Sequence, residues 1–325
     1  MSTRDVGSPD RQSISAIVCA HTDRRWNALV EALASLESQI RPPDETILVV
    51  DYNPALLKRA RDTFKNVTII PNTETRGLSG ARNTGVSVAR GDIVAFLDDD
   101  ARAHPACLAE LATGYDDESV VGTGGLVEPR WKDDRPVRWL PNEFYWTIGC
   151  TYKGLPTDSS VIRNPIGANM SFRREAIVHA GGFPEGLGRV GAIPFGCEET
   201  ELAVLVTNAL PGSKIVNVPT ARVEHLVGAE RTRWHYFRAR CWAEGRSKAI
   251  VARDVGQDAA LASERHYLRH TLPRGVVSAL CSGLRGEIAG FARAATMLAG
   301  LSITVAGYVC GRLMRTSRSA AGGLV

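Results

Sequence analysis

The stretch that decides the fold is GDIVAFLDDDARAHP, residues 91–105, in which an apolar run of five residues precedes Asp98, Asp99 and Asp100. The apolar run predicts a short buried strand. Three carboxylates at the end of such a strand are costly unless a positive charge offsets them. One of them could cap the helix predicted next, but capping does not account for all three. The pattern therefore indicates a hard divalent cation, Mg²⁺ or Mn²⁺, held by carboxylates together with the phosphates of a ligand.

Strands and helices alternate on the amino-terminal side of this stretch. Strands are predicted over 13–20, 45–51, 67–72 and 93–100, with helices over 24–39, 54–64 and 79–91. This alternation with short connections predicts an α/β fold in which helices cover both faces of a mostly parallel sheet. Ligands of such sheets bind beyond the carboxyl ends of the strands. Because Asp51 ends the second strand and Asp98 lies at the end of the fourth, we expect the sheet to bring them together.

The composition is that of a folded globular protein, with 44% hydrophobic and 23% charged residues in a chain of 325. The net charge is +4, and arginines are dense late in the chain, which favours anionic partners such as phosphates or lipid headgroups. No nucleic-acid-binding motif accompanies them, so nucleic acid is not an expected partner. Seven cysteines without a C-x-x-C pair suit a reducing cytosol. Residues 1–12 are polar and are predicted to be a disordered leader without a secretory signal.

The pattern changes after residue 105. An aromatic-rich, irregular stretch runs from Trp131 to Tyr152, and its length and composition indicate a functional loop, where we expect the choice of acceptor to lie. Further on, the sequence predicts a helix over 198–210 that opens with acidic residues, a strand over 214–227 and a basic, aromatic helix over 234–253.

The last part of the chain is apolar. No charged residue lies between Arg293 and Arg312, a length at the lower limit for a membrane span of roughly 20 residues. The preceding stretch, 272–293, is amphipathic. We therefore predict a helical, membrane-associated tail, and the sequence leaves open whether it spans the membrane or lies flat. The alternative is a helical hairpin that covers the sheet.

Seven motifs, in this order, resemble the inverting family 2 glycosyltransferases of the GT-A fold. They are SAIVCAHTDRRWNALVEALASLESQ (15–39), ILVVDYNP (47–54) with Asp51 at the strand end, RGLSGARNTGV (76–86), FLDDD (96–100), NPIGANMSFRRE (164–175), GCEETEL (196–202) and ARVEHL (221–226). The resemblance covers residues 13–255 and implies a Rossmann-like GT-A domain. It divides this domain into a nucleotide-binding half, 13–104, and an acceptor half, 105–255, followed by the helical tail, 256–325.

The resemblance implies roles for the residues of the nucleotide-binding half. Ala20 to Thr22 and Asp51 would line the nucleobase pocket, with Asp51 accepting a hydrogen bond from a uracil N–H. Arg76 or Arg82 would contact the base or the diphosphate. From the pattern alone, Arg82 could equally be a residue on the surface of a helix.

The same resemblance divides the three aspartates. Asp100 would bind the metal directly, and Asp98 would contact the ribose or a water on the metal, as the outer members of the family's D-x-D motif. Asp99 would be a spare carboxylate. His225 would complete the metal coordination or contact the diphosphate, although a single histidine on a strand is more often structural.

An acidic pair in the family's E-D-x-D/E-L motif supplies the catalytic base, and its second residue corresponds here to Glu199, with Glu198 as its neighbour. The family commonly has aspartate at this position, which is shorter by one methylene. Adjacent carboxylates raise the pKa of at least one of them, which suits a general base. The alternative is that EETE is only an acidic first helical turn that interacts favourably with the helix dipole.

These observations predict a metal-dependent inverting glycosyltransferase that moves a sugar from a nucleotide-sugar, here a UDP-sugar, to a glycan or polyprenyl-linked acceptor. The wording of the motifs resembles the subgroup labelled glucosyl-dolichyl-phosphate glucuronosyltransferases, which implies UDP-glucuronate as donor and a polyprenyl-linked sugar as acceptor. The scattered cysteines, the polar first residues and the apolar tail together predict a location at the cytoplasmic face of the membrane. In ERTRW (230–234), Glu230 replaces the glutamine of the processive members' motif, which disfavours polymerisation.

Two other classes remain as alternatives. A nucleotidyltransferase acting on a sugar phosphate would have a glycine-rich loop after the first strand, and CAHTDRRW (19–26) contains no glycine. A non-catalytic membrane scaffold that binds a nucleotide-sugar is disfavoured because Asp98, Asp100 and Glu199 are all present.

Overall fold

The computed structural model describes residues 11–132, 135–184 and 196–314. The first ten residues of the predicted leader and residues 315–325 of the predicted tail therefore lie outside the described residues. Within them, nine strands form one sheet: β1 (Ile14–Ala20), β2 (Glu45–Val50), β3 (Thr68–Pro71), β4 (Ile93–Asp98), β5 (Ala101–Ala103), β6 (Val120–Trp131), β7 (Val161–Ile162), β8 (Asn169–Arg173) and β9 (Lys214–Val227).

Helices connect and cover these strands. In the part of the chain that the structure describes, they are α1 (Trp26–Glu37), α2 (Pro54–Thr63), α3 (Leu78–Val88), α4 (Cys107–Thr113), α5 (Arg174–His179), α6 (Glu198–Ala209), α7 (Trp234–Asp254), α8 (Gln257–His266), α9 (Leu272–Leu284) and α10 (Ala289–Leu313). A π-helical turn, Tyr267–Thr271, joins α8 to α9.

The strand order is β3-β2-β1-β4-β8-β6-β9-β5, with β7 paired to β9. The first four strands are parallel, as predicted, and Cys19 of β1 pairs with Asp98 of β4. From β8 onward the pairing is mixed, because β8 runs antiparallel to both β4 and β6. The parallel register places the carboxyl ends of β1, β2 and β4 at one edge, so Asp51 and Asp98 lie at the same edge, as expected.

Alternate side chains of the central strands point into two different cores. Val18 of β1 packs in a core with Leu29 of α1 and Leu56 of α2. Its neighbour Ile17 packs in the opposite core, with Leu202 of α6. Since both faces of the sheet are buried by helices, the prediction of an α/β fold with helices on both faces is confirmed. The boundaries predicted between the two halves and the tail stay a prediction, because β5 and β6 continue the same sheet.

The aromatic stretch is folded into a third core. Asn142–Ile148 forms a 3-10 helical segment, and Phe144 packs against Phe237 of α7 with ring centroids 5.5 Å apart. Leu272 of α9 and Met297 of α10 belong to the same core. The tail helices therefore form a hairpin that packs on the aromatic stretch and α7, rather than one that covers the centre of the sheet.

The backbones of α7 and α10 approach each other closely. A Cβ atom added to Gly245 of α7 would lie 2.0 Å from the carbonyl oxygen of Thr304. A Cβ on Gly307 of α10 would lie 2.4 Å from the carbonyl oxygen of Trp242. Because backbone atoms cannot move aside as the end of a side chain can, these two glycines allow α10 to dock along α7.

We expect Gly245→Leu to lower the free energy of unfolding by about 1–3 kcal/mol, because the new side chain would overlap the backbone of α10. Urea unfolding followed by circular dichroism measures this change. The matched control is Ala306→Leu, which adds a similar volume on the exposed side of α10. Equal stability of the Gly245→Leu variant and the wild type would contradict the close packing of the two helices.

Candidate active site

A cavity of about 430 Å³ lies at the carboxyl ends of the parallel strands. Several predicted site residues line it: Ala20, Asp51, Arg82, Asp98, Glu198 and Glu199. The structure therefore brings together residues from both predicted halves of the chain. A pocket at the switch from β1 to β4 is where open α/β sheets bind their ligands.

The carboxylate of Asp51 is fixed at the edge of this cavity. Its Oδ1 atom accepts hydrogen bonds from the amide of Asn72 at 2.7 Å and from the backbone N–H of Gly77 at 3.2 Å. Gly77 precedes α3 with a φ of 127°, a conformation that favours glycine. A carboxylate has acceptor capacity beyond these two bonds, so Asp51 can still accept from a ligand.

Two of the residues predicted for the nucleotide lie beside the cavity rather than in its described lining. The hydroxyl of Thr22 accepts from the backbone N–H of Arg24 at 3.3 Å and caps a 3-10 turn. The side chain of Arg76 is exposed, with its guanidinium 6.0 Å from the ring centroid of Tyr52. Neither contact indicates which group of a ligand Thr22 or Arg76 would bind.

The three aspartates differ in exposure and in partners. The side chain of Asp98 is 31% exposed and faces the cavity, whereas those of Asp99 and Asp100 are buried. Arg25 lies 2.9 Å from Asp99 and donates to Asp100 at 2.8 Å. Arg231 donates to the same Asp100 oxygen, also at 2.8 Å. The positive charges that this strand end requires are therefore supplied in part by the protein itself.

Asp98, Asp100 and His225 form a potential metal site. Each offers one ligand atom, and these atoms lie within 4.8 Å of one another. The antiparallel pairing of Ala101 in β5 with His225 in β9 brings the imidazole next to Asp100, with Nε2 3.2 Å from its Oδ1. Two carboxylates and an imidazole form a donor set that suits Mn²⁺, and the carboxylates suit Mg²⁺. These residues therefore fit the divalent cation that the sequence predicted.

The charges around the buried aspartates act in opposite directions on their pKa values. Burial alone would raise the pKa of Asp100, but Arg231, His225 and Arg25 hold it well below its usual range. Burial raises the pKa of Asp99 to about 7, and Arg25 only partly opposes this. Asp100 is consequently ionised at neutral pH, as a metal ligand must be.

Arg82 connects the D-x-D motif with the acidic pair at the start of α6. Its guanidinium donates to Glu198 Oε1 at 3.0 Å and lies 3.6 Å from Asp98 Oδ1. It is 2% exposed and lies beside the rings of Phe96 and Phe183, 5.8 and 5.3 Å from their centroids. The interpretation of Arg82 as a helix-surface residue is therefore wrong.

The two glutamates of the acidic pair have different environments. Glu198 is paired with Arg82, and α6 begins at Glu198, after Cys197 with a φ of 72°. Burial raises the pKa of Glu199 to about 8, and the neighbouring charge of Glu198 adds to this effect. Glu199 is therefore a carboxyl group that gains and loses its proton near neutral pH, as a general base does. The first-turn position of both residues also satisfies the helix-dipole interpretation.

A second group of buried charges lines the cavity, and the sequence did not predict it. Glu264 of α8 accepts from Arg163 at 2.6 Å and from the ammonium of Lys248 at 2.5 Å. Lys248 also pairs with Glu244 at 3.0 Å, one turn earlier in α7. The i,i+4 spacing of this last pair was the available sequence signal, but it is also common on exposed helices. The tail thereby contributes charge to the site.

The tail also supplies an apolar wall of the cavity. Its lining residues from this region are Tyr267, Leu268, Leu272, Leu301, Val305 and Tyr308. The sequence predicted a membrane-associated tail but gave it no part in the site. Likewise, Arg25 and Arg231 were visible in HTDRR and ERTRW, but nothing in those stretches indicated that they pair with Asp100.

Comparison with known proteins agrees with this geometry. The family described as Glycosyl transferase family 2 matches residues 15–180. A glucosyl-dolichyl phosphate glucuronosyltransferase of Haloferax volcanii is 31% identical over 242 residues, which cover 73% of this chain and 77% of that protein.

Two solved structures share the fold. The mannosyltransferase PcManGT from Pyrobaculum calidifontis, in complex with GDP-Man and Mn²⁺, superimposes with a TM-score of 0.56 at 18% identity, over 91% of this chain and 88% of that chain. GalNAc-T7 with UDP, GalNAc and Mn²⁺ gives a TM-score of 0.53 at 16% identity, over 80% of this chain but only 58% of that chain. The family match, the relative and the shared GT-A fold lead to one conclusion: the chain belongs to glycosyltransferase family 2 and is a glycosyltransferase.

Proposed function

We propose that the protein is a metal-dependent inverting glycosyltransferase that transfers a sugar from a UDP-sugar to a hydroxyl of a polyprenyl-linked acceptor. The observation that carries this proposal is the placement of two chemically different carboxyl groups on one cavity. Asp98 belongs to the potential metal site, and Glu199 has the raised pKa of a base. Inverting transfer needs one base for the acceptor and one charged site for the leaving nucleotide, and this arrangement supports both.

The donor would lie along the carboxyl ends of β1, β2 and β4. Asp51 faces the cavity with its carboxylate already oriented, which supports recognition of a uracil N–H. Asp98, Asp100 and His225 would hold Mg²⁺ or Mn²⁺, which when bound neutralises the charge that builds on the diphosphate.

The acceptor hydroxyl would lose its proton to Glu199. Arg82 donates to Glu198 Oε1 at 3.0 Å and so holds Glu198 as a charged pair, whereas the raised pKa of Glu199 makes it the carboxyl group we assign to the proton. General bases of this kind contribute on the order of 10²–10⁴ in rate. The nucleotidyltransferase and scaffold alternatives gain no support, because the family match and the site geometry both favour glycosyl transfer.

We further propose UDP-glucuronate as the donor and membrane association through the tail. The first is supported by the name of the Haloferax volcanii relative. The second is supported by α10, which by length and composition is able to cross a membrane. The free state of the seven cysteines supports a catalytic domain on the cytoplasmic side.

With a panel of UDP- and GDP-sugars and either Mn²⁺ or Mg²⁺, we expect nucleotide release to be fastest with UDP-glucuronate and to stop when the metal is chelated. Asp98→Asn and Asp100→Ala should each remove this release, because each loses one carboxylate of the potential metal site. Asp98→Asn is the cleaner variant, since Asp98 is partly exposed and Asp100 also holds two arginines. If either variant released nucleotide without metal at the wild-type rate, the assignment of Asp98 and Asp100 to the metal site would be refuted.

Glu199→Gln should bind the UDP-sugar as tightly as the wild type but transfer it roughly 10²–10⁴ times more slowly, because the amide cannot accept the proton. Isothermal titration with the donor and product formation with an acceptor measure the two effects separately. Glu201→Gln, another buried acid in the same helical turn, is the matched control. If the Glu199→Gln variant kept full transfer activity, the base would lie elsewhere.

The rate of transfer should depend on pH through the same residue. A base with a pKa of about 8 is active when deprotonated, so kcat/KM should rise as the pH increases toward 8 and level off above it. Below this pKa, the expected loss is roughly tenfold per pH unit. Initial rates from pH 6 to 9, in about half-unit steps, measure the profile. A profile that is flat across this range would contradict the raised pKa.

A further inference from the structure

The outward face of α10 carries an uncharged and mostly apolar stripe. Residues spaced three or four apart point away from the protein and form what we call the outer stripe: Phe291, Ala295, Leu298, Ser302, Val305, Val309 and Leu313. None of them is charged, and Leu298 and Leu313 are 55% and 78% exposed. Leu284 and Ile288 extend this surface into the α9–α10 turn. A helix on the surface of a soluble protein would carry polar residues on this face.

The opposite face of α10 is docked on the catalytic domain. Added Cβ atoms on Gly300, Gly307 and Gly311 would meet, respectively, Phe144 at 2.4 Å, Trp242 at 2.4 Å and Ala249 at 2.8 Å. A single helix that crosses a bilayer is surrounded by lipid on all sides. In this helix, one side is already filled by protein over its full length, including polar neighbours in α7. The docked arrangement therefore suits a helix that lies in the plane of a membrane surface.

The charge around the outer stripe identifies what it would contact. From residue 265 to residue 313 the sequence has six arginines and one glutamate. That glutamate, Glu287, is paired with Arg293 at 2.9 Å. Arg269, Arg274 and Arg285 are exposed. An apolar helical face beside basic residues is the pattern of interfacial helices that bind anionic lipid.

The cavity opens beside this surface. Val305 belongs to the outer stripe and also lines the cavity. Leu268, which is 42% exposed, also lines the cavity. The apolar wall of the cavity and the outer stripe are consequently parts of one continuous apolar surface.

We propose that α10 is an in-plane membrane helix, which seats its outer stripe in the headgroup region of an anionic bilayer and so holds the cavity open toward the lipid. The inference rests on the proposed function in one respect: an opening toward the lipid is useful because the proposed acceptor is carried by a lipid. The mode of membrane binding follows from α10 itself, so the two can be tested separately.

The first experiment measures binding of the full chain to sealed vesicles by flotation. Wild-type protein should bind vesicles of phosphatidylcholine with phosphatidylglycerol more tightly than phosphatidylcholine alone. Leu298→Glu combined with Val309→Glu should weaken binding by roughly tenfold or more, because two carboxylates would enter the apolar region. Neither residue lines the cavity, and both are about half exposed, so the fold should be kept. The matched control is Ile40→Glu, which places the same charge on a 75% exposed apolar residue that is far from the tail in the sequence.

Release of UDP from the donor, measured without vesicles but with a detergent-solubilised polyprenyl-linked sugar as acceptor, distinguishes the two proposals. The double variant should keep wild-type release while losing vesicle binding. If it binds vesicles as well as the wild type, the in-plane helix is refuted and the proposed function stands. If the wild type binds vesicles but releases no UDP from any donor, the proposed function fails and the membrane inference stands.

The second experiment separates an in-plane helix from a span. Arg285→Cys and Arg312→Cys are placed singly in a chain whose three cysteines that are not buried, Cys19, Cys281 and Cys310, are replaced by serine. The protein is added to preformed vesicles and treated with a membrane-impermeant maleimide. Labelling at both positions before lysis supports the proposal. Protection of Arg312→Cys until the vesicles are lysed would show a span and overturn it.

A second copy of the chain is the remaining occupant of the outer stripe. Light scattering without lipid tests it. A monomer supports the proposal. A dimer that the double variant dissociates, with vesicle binding unchanged, would assign the stripe to self-association and overturn the proposal.

Discussion

The buried guanidinium of Arg82 holds the two chemical parts of the site together. It lies between Asp98 of the potential metal site and Glu198 of the acidic pair, with two aromatic rings around it. A buried charge is tolerated only when it is paired and hydrogen-bonded. Removing Arg82 would leave two carboxylates facing each other without compensation. The arrangement of the potential metal site relative to the acidic pair therefore depends on this one side chain.

The need to pair buried charges also explains the other contacts at the edge of the cavity. The parallel register concentrates acidic groups at the ends of β1, β2 and β4, and α6 adds two more. Arg25 and Arg231 offset part of this charge at Asp99 and Asp100. The carboxyl groups of Asp98 to Asp100, Glu198 and Glu199 still outnumber the three guanidinium groups that contact them. Because the raised pKa values leave Asp99 and Glu199 partly protonated, these arginines balance the remaining carboxylates, and a divalent cation at Asp98 and Asp100 would add the positive charge that a diphosphate requires.

The strand ends were predictable because they depend on local pattern. Five apolar residues followed by aspartates specify both the strand and the edge at which its charge emerges, and Asp51 follows by the same rule. Pairings across the chain were not predictable in this way. Arg231 meets Asp100 from 131 positions away, and nothing near either residue encodes that contact. Similarly, an uncharged segment predicted the apolar character of α10, but glycines in α7 and α10 determine which face is docked, and this emerges only from the packing.

The contribution of Leu301, Val305 and Tyr308 to the cavity has a consequence for how this enzyme is built. In many enzymes the segment that determines the location of the protein is separate from the residues that determine its substrate specificity. One membrane anchor can then be exchanged for another without changing the substrate. Here the tail, which would hold the protein at a membrane, also forms a wall of the candidate active-site cavity. An unrelated membrane anchor could restore membrane binding but would leave the cavity open on one side. Natural variation in the tail should therefore alter acceptor choice as well as attachment.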